Sequence, residues 1–268
     1  MKKIYFASDF HLGIPNLTQS HLREAKIVRW LTSIQDHAER IFLVGDIFDF
    51  WFEYKTVVPK GYLRLLGKLA ELRSKGIAID YFTGNHDIWM FEYLDKELGI
   101  KIHRKPLYTT LKGKKFLIGH GDGLGPKDKG YKFLKKYIFN NRLCQWLFRW
   151  FHPDLGIRLA LFFSQKSRNA QKDPEVFKGE EDEWLLAYAK RKVDQDPGLD
   201  YCIFGHRHLP LDLLLSNQRS RYINLGEWLD SFTYAVLDEQ NIQLRYFEHP
   251  EKTIHPTQYA KGKELINL

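Results

Sequence analysis

The run Lys3-Ile4-Tyr5-Phe6-Ala7-Ser8 ends directly in Asp9-Phe10-His11. Short apolar runs rich in β-branched and aromatic residues read as buried strands, so an acid and an imidazole stand where the first strand leaves its ladder. The same juncture recurs four times along the chain. Ile41–Val44 leads into Gly45-Asp46, and Ile77–Thr83 into Gly84-Asn85-His86-Asp87. Lys115–Gly119 leads into His120-Gly121-Asp122, and Tyr201–Phe204 into Gly205-His206-Arg207-His208. In an open α/β sheet, ligands gather beyond the carboxyl ends of the strands. A chain that arms five strand ends with acid, amide and imidazole groups can build a metal site there.

Helical patterns separate the early runs. Ser20–Gln35 carries Ile27, Leu31 and Ile34, and Tyr62–Ser74 carries Leu65, Leu66, Leu69 and Leu72. This alternation predicts βαβ units and largely parallel pairing. Tyr222–Asn224 adds a strand, and Thr233–Asp238 with Ile242–Phe247 forms a closing hairpin around Glu239-Gln240-Asn241. The tail after Pro250 is polar and reads as irregular.

The 268 residues suit one domain of α/β type. An apolar fraction of 44% and a charged fraction of 28% are ordinary for a folded chain. Cys144 and Cys202 lie far apart, which argues against a disulfide framework and for a reducing cytosol. The opening apolar stretch is too short for a signal peptide, and no run approaches the roughly 20 apolar residues that cross a bilayer.

The net charge of +8 is concentrated. Between Lys127 and Lys172 stand 11 Lys/Arg against two acids, Asp128 and Asp154, so the remainder is close to neutral. The same segment places Phe133, Tyr137, Leu143, Leu147, Trp150 and Phe151 at near-helical spacing, broken at Asn140-Asn141. A second helical stretch follows Pro153. These helices are too apolar around their circumference for ordinary surface helices, and a helical cap over the site is expected.

Imidazole with carboxylate suits Mn²⁺, Fe or Zn²⁺, and the lack of ligating thiolates speaks against structural zinc. Two ions need a bridging anion to offset their repulsion, which an aspartate supplies, and a water between them is acidified toward neutral pH. One Asp-X-His alone is weak, since most histidines are surface or satisfied core residues. Five clusters in order are not explained that way. His21, His37, His103, His152, His249 and His255 join no cluster. No phosphate-binding Gly-x-x-x-x-Gly-Lys loop, Gly-x-Ser-x-Gly elbow or Cys-x-x-Cys pair occurs.

In these residues the chain resembles the calcineurin-like metallophosphoesterases, whose pattern is D-x-H, G-D, G-N-H-D, G-H and G-H-x-H. The resemblance spans Asp9 to His208 and implies a four-layer α/β/β/α sandwich. It implies one metal on Asp9, His11, Asp46 and His208, and another on Asp46, Asn85, His120 and His206, with Asp46 bridging. His86 matches the histidine that contacts the phosphoryl group or protonates the leaving oxygen, with Asp87 orienting it.

Within that superfamily, Gly45-Asp46-Ile47-Phe48-Asp49-Phe50-Trp51, the approach from His120-Gly121-Asp122 to Asp128 and Tyr131, and the helical insertion resemble the UDP-2,3-diacylglucosamine pyrophosphatases of lipid A biosynthesis. That family releases UMP and the acylated sugar 1-phosphate, usually with Mn²⁺, and its cap lines a chamber for acyl chains. The resemblance implies that Asp128 and Tyr131 contact nucleotide or sugar, and that Asn169 and Lys172 contact the polar head. His86 stands where that family commonly has arginine, Arg207 where it has threonine, and Asp49 where it has glutamate.

The cap's ten aromatics and its cations suit a lipid-linked nucleotide sugar and an anionic membrane surface at the inner face of the cytoplasmic membrane. The plainer alternative is core aromatics with solvated cations. A phosphoesterase for another lipid or nucleotide ester, or a nuclease gripping single strands, would use the same features. The slightly acidic remainder and the lack of a second nucleic-acid module argue against nucleic acid. A non-catalytic scaffold would have no reason to keep mutually repelling carboxylates together, and no obligate protein partner is evident.

Overall fold

The computed structural model describes residues 2–125, 129–170, 177, 179, 181–259 and 265–267. The order of elements is β1 (Lys3–Ala7), α1 (Leu17–Ile34), β2 (Ala38–Val44), α2 (Leu63–Ser74), β3 (Ala78–Phe82), α3 (Tyr93–Leu98), β4 (Lys101–His103), β5 (Leu107–Leu111) and β6 (Lys114–Gly119). Then follow α4 (Lys129–Leu134), a π-helical turn (Lys135–Phe139), α5 (Arg142–Arg149), α6 (Pro153–Ala170) and α7 (Trp184–Gln195). The chain closes with β7 (Tyr201–Phe204), β8 (Pro210–Leu214), β9 (Arg221–Leu225), β10 (Thr233–Leu237), β11 (Ile242–Tyr246), β12 (Thr253–Ile254), β13 (Thr257–Tyr259) and β14 (Leu265–Asn267).

These strands form two sheets, ordered β12-β11-β10-β1-β2-β3-β4 and β14-β13-β8-β9-β7-β6-β5. Three of the clusters end strands of the first sheet and two end strands of the second, as the expected two-sheet sandwich requires. Pairing is parallel from β1 to β4 and among β6, β7 and β9. β10 with β1 and β11, β5 with β6, and β8 with β9 pair antiparallel, so the parallel expectation holds for the cluster-bearing strands with β4 and β9 but not for the whole of either sheet.

Period-2 alternation explains the layering. In β1, Ile4 and Phe6 point between the sheets, while Tyr5 and Ala7 face α1 and α2. In β7, Tyr201 and Ile203 point between the sheets, while Cys202 and Phe204 face α7. The result is four layers, α/β/β/α. Phe6 stacks on Phe42 at 5.0 Å and on Phe116 at 6.0 Å, joining the two sheets. Truncating such a fully buried ring costs about 3–5 kcal/mol.

Helix α1 buries Ile27, Trp30, Leu31 and Ile34, one stripe at helical spacing, and Asn16 caps its start by accepting from the Gln19 N–H at 3.0 Å. Asn141 caps α5 in the same way, which accounts for the break at Asn140-Asn141. The inserted helices dock through an aromatic cluster in which Phe139, Phe148 and Leu161 meet Phe50, Phe52 and Trp89. The Trp89 indole N–H donates to the Phe139 carbonyl at 2.9 Å. The tail after Pro250 is not irregular. It adds β12 to the edge at β11 and β13 to the edge at β8, strands of two or three residues too short to show a period.

Candidate metal centre

Backbone conformation marks the site first. Among the described residues, nine non-glycine residues have positive φ, and five of them are Asp9, His11, Asp46, His206 and His208. A left-handed backbone is unfavourable for side chains with a Cβ, and such strain concentrates where geometry serves a ligand. Each of these residues sits just past the carboxyl end of β1, β2 or β7. Gly84 is required for the same convergence, because a Cβ there would press into the Asp46 carboxylate.

The groups that meet are donors for a cation. His11 Nε2 lies 3.0 Å from His208 Nε2 and 3.7 Å from Asp9 Oδ1, and His208 Nε2 lies 3.3 Å from the same oxygen. Adjacent octahedral ligands bound at about 2.1 Å to one ion stand about 3.0 Å apart, which is the spacing of these two imidazoles. Asp9 Oδ1 is buried without a hydrogen-bond partner among the described residues, while its Oδ2 accepts the His206 N–H at 3.0 Å. An orphaned carboxylate oxygen between two imidazole nitrogens fits a metal ion.

Asp46 joins this group to a second one. Its Oδ2 is 4.0 Å from His11 Nε2 on one side and 3.2 Å from His120 Nε2 on the other. Its Oδ1 accepts the His86 N–H at 2.9 Å, which fixes the carboxylate plane. His120 Nε2 also lies 3.4 Å from Asn85 Oδ1, and His206 brings a donor atom within 4.8 Å of Asp46 and His120. His120 Nδ1 lies 2.9 Å from the Val44 carbonyl and donates there, so Nε2 is the nitrogen turned toward Asp46.

Burial opposes charge on Asp9, His11, Asp46, His120 and His206, and mutual pairing overcomes it at all but His206. Against burial, His11 and His208 hold the Asp9 carboxyl below the usual carboxylate range, and His120 does the same for Asp46. Burial lowers His11 and His120, yet Asp49 raises the first to about 9 and Asp46 the second to about 10. His206 is pushed down to about 4 by burial and by the neighbouring His120 charge. The buried carboxylates thus draw positive charge onto His11 and His120, a charge that a bound cation can supply in place of those protons.

The sequence model of calcineurin-like phosphoesterases matches residues 2–210. The chain belongs to the calcineurin-like phosphoesterase family. Membership implies divalent metal ions and a metal-dependent hydrolase, and the two-sheet sandwich is the fold of such a phosphoesterase. A UDP-2,3-diacylglucosamine hydrolase from Porphyromonas gingivalis is 37% identical over 266 residues, covering 93% of this chain and 99% of the relative. An enzyme of the same name from Aeromonas salmonicida is 28% identical over 246 residues, covering 90% of this chain and 92% of its own. Among solved structures, the phosphoesterase Yfce from E. coli aligns with a TM-score of 0.47 at 16% identity, over 94% of this chain and 96% of that one.

Around this phosphoesterase centre the other expected residues divide. His86 lies beside His11, ring centroids 4.9 Å apart, and its Nδ1 is 3.1 Å from the Asp49 carbonyl. The hydrogen bonds described for Asp87 run elsewhere. The Asp87 oxygens accept from the Gly84 N–H at 2.7 Å, the Ile47 N–H at 2.9 Å and the Tyr81 hydroxyl. Asp87 therefore braces the two ligand loops, and burial and the Asp46 charge raise its carboxyl to about 6. Tyr131 donates to Asp122 Oδ2 at 2.7 Å. Asp128 and Lys172 lie outside the described residues, and Asn169 sits in the last turn of α6 with its side chain outside them.

Two contributors were given no role at the site from sequence. Asp49 faces His11 Nδ1 at 3.2 Å and His86 Nδ1 at 3.4 Å, and Ser164 of α6 donates to its other oxygen at 2.9 Å. The spacing of Asp49 three residues after Asp46 was a usable signal; a lone serine in an apolar helix carries none. Beside His86 and Asn85 opens a cavity of about 460 Å³ lined mainly by apolar side chains, including Phe139, Phe148, Leu159 and Phe163.

Proposed function

We propose that the chain hydrolyses the pyrophosphate of UDP-2,3-diacylglucosamine, giving UMP and 2,3-diacylglucosamine 1-phosphate, in lipid A biosynthesis. The observation that carries this reading is 37% identity to a hydrolase of that name over nearly the full length of both chains. The donor cluster and the apolar cavity supply the chemistry such a substrate needs. We read the chain as one catalytic domain in which residues 127–172 form the cap.

Two divalent ions, Mn²⁺ by preference, are held in this reading by Asp9, His11, Asp46 and His208, and by Asp46, Asn85, His120 and His206. When bound, they polarise the phosphoryl oxygens and acidify water. The chain's own residues do the rest. Asp46 is positioned to be shared, the Nε2 atoms of His11 and His120 are aimed by the contacts of their Nδ1 atoms with Asp49 and Val44, and Asp87 keeps the Asp46 and Asn85 loops in register. His86, beside the apolar cavity, offers an imidazole to the phosphoryl or leaving oxygen. Water adds at the uridine-side phosphorus, and the bond to the bridging oxygen breaks as the sugar phosphate leaves. Tyr131, Asp128, Asn169 and Lys172 are assigned to substrate.

The cap also supports adsorption to the inner face of the cytoplasmic membrane. No helix among the described residues is long and apolar enough to cross a membrane. Yet of 18 exposed large apolar side chains there, 13 lie between Phe133 and Phe163. An exposed patch of this kind, interleaved with Lys and Arg, fits a lipid interface better than nucleic acid. Incubating the protein with Mn²⁺ and UDP-2,3-diacylglucosamine tests the whole reading: UMP is released in proportion to enzyme, and intact substrate would reject it.

A further inference from the structure

The donor cluster borders two compartments of opposite chemistry. One is the apolar cavity of about 460 Å³. The other, about 350 Å³, is lined by Arg104, Lys105, Lys132, Lys135, Lys136 and Asn140, with His120 on its inner wall. Asp122 is the one carboxylate among its described lining residues, and Lys135 and the Tyr131 hydroxyl already engage it. Among the described residues Lys105 has no carboxylate partner. Like charges assembled without matching acids repel one another, and an anion relieves them.

The partition between the compartments is the first helix of the cap. Leu134, Phe139 and Tyr131 line the apolar side, while Lys132, Lys135, Lys136 and Asn140 of the same segment line the basic side. The compartments meet at the donor cluster itself: Asn85 lines one, His120 lines the other, and their side chains are 3.4 Å apart. At about 350 Å³ the basic compartment is at the small end of ligand sites, which run from roughly 300 to 1,000 Å³. It suits half of a substrate, not the whole.

We infer that the basic pocket built by Arg104, Lys105, Lys132, Lys135 and Lys136 binds the nucleoside monophosphate half of the substrate, with the acylated half in the apolar cavity. This rests on the pyrophosphatase reading above. The scissile anhydride then crosses the cluster at the Asn85–His120 junction, which explains why a single cap helix carries two unlike faces.

Isothermal titration of UMP into the Mn²⁺-loaded protein tests it. A Lys105→Glu/Lys136→Glu double variant raises the UMP dissociation constant by at least about ten-fold at low ionic strength, and the gap narrows as salt is added. Lys114→Glu, at the other end of β6, leaves UMP affinity unchanged. Binding of 2,3-diacylglucosamine 1-phosphate in detergent changes less than about two-fold in the double variant. Unaltered UMP affinity in the double variant overturns the inference, and so does a loss confined to binding of phosphatidylglycerol vesicles. The two readings fail separately. Hydrolysis of UDP-2,3-diacylglucosamine with UMP binding indifferent to both lysines removes the pocket alone. UMP binding that depends on the lysines, with substrate left intact, removes the substrate assignment alone.

Discussion

Ser164, on the last helix of the cap, donates a 2.9 Å hydrogen bond to Asp49, the carboxylate that also faces the imidazoles of His11 and His86. The cap thus reaches the donor cluster through a buried acid, and the same hydroxyl lies 3.3 Å from His86 Nδ1. Partners of this kind orient metal-binding imidazoles, and their loss typically costs about 10–100-fold in metal affinity or activity. Asp49→Asn is expected to weaken Mn²⁺ binding within that range by calorimetry. Ser164→Ala, which leaves the Asp49–His11 contact in place, is expected to change it by less than about three-fold.

Gly84 approaches Asp46 so closely that no Cβ fits. Gly84→Ala displaces the carboxylate, and a shift of about 1 Å costs on the order of 10²-fold in turnover. The expected result is that loss on a chromogenic phosphodiester, with an unfolding transition within a few degrees of wild type. Full turnover would mean that the Asp46 position is not critical.

The cap has an inner and an outer apolar surface, and they should separate in experiment. Phe163, though 57% exposed, lines the apolar cavity, whereas Trp150 is 76% exposed and lies outside it. Phe163→Ala is expected to raise KM for the diacylated substrate about ten-fold or more, with a small phosphodiester nearly unaffected. Trp150→Ala is expected to reduce partitioning onto phosphatidylglycerol vesicles several-fold, leaving turnover of detergent-dispersed substrate intact. Equal losses in both assays for both variants would contradict the division.

Burial pushes the Cys202 thiol up to about 12, while Cys144 is partly exposed. A thiol reagent at pH 8 should therefore titrate one cysteine in the native protein and two after unfolding. In the unfolded chain Cys202 ionises near about 8.5, so its contribution to stability is complete below that pH and declines as pH rises toward 12. A native count of two thiols at pH 8 would show that strand β7 is not packed as described.

Much of this was legible in the chain because its chemistry is local to strand ends. Asp9-Phe10-His11 and Gly205-His206-Arg207-His208 each declare a run, a turn and donors within a few residues. The division into two sheets was not readable from alternation alone, because Ile4 and Phe6 look the same whether they face a helix or another sheet. Helix α7 was missed for its irregular stripe of Leu185, Leu186, Ala189 and Val193. The contact of His86 with Asp49 was not readable because Asp49 is distant in sequence and adjacent only in space. The basic pocket draws Arg104 and Lys105 from one loop and Lys136 from the cap, and no local pattern joins them.

The most direct test of the account is an anomalous diffraction map from crystals of the protein soaked in Mn²⁺. Paired ions of this type lie about 3.5–4 Å apart. The account predicts two peaks at that separation, both in coordination contact with the Asp46 carboxylate. A single peak, or two peaks that do not share Asp46, would contradict it.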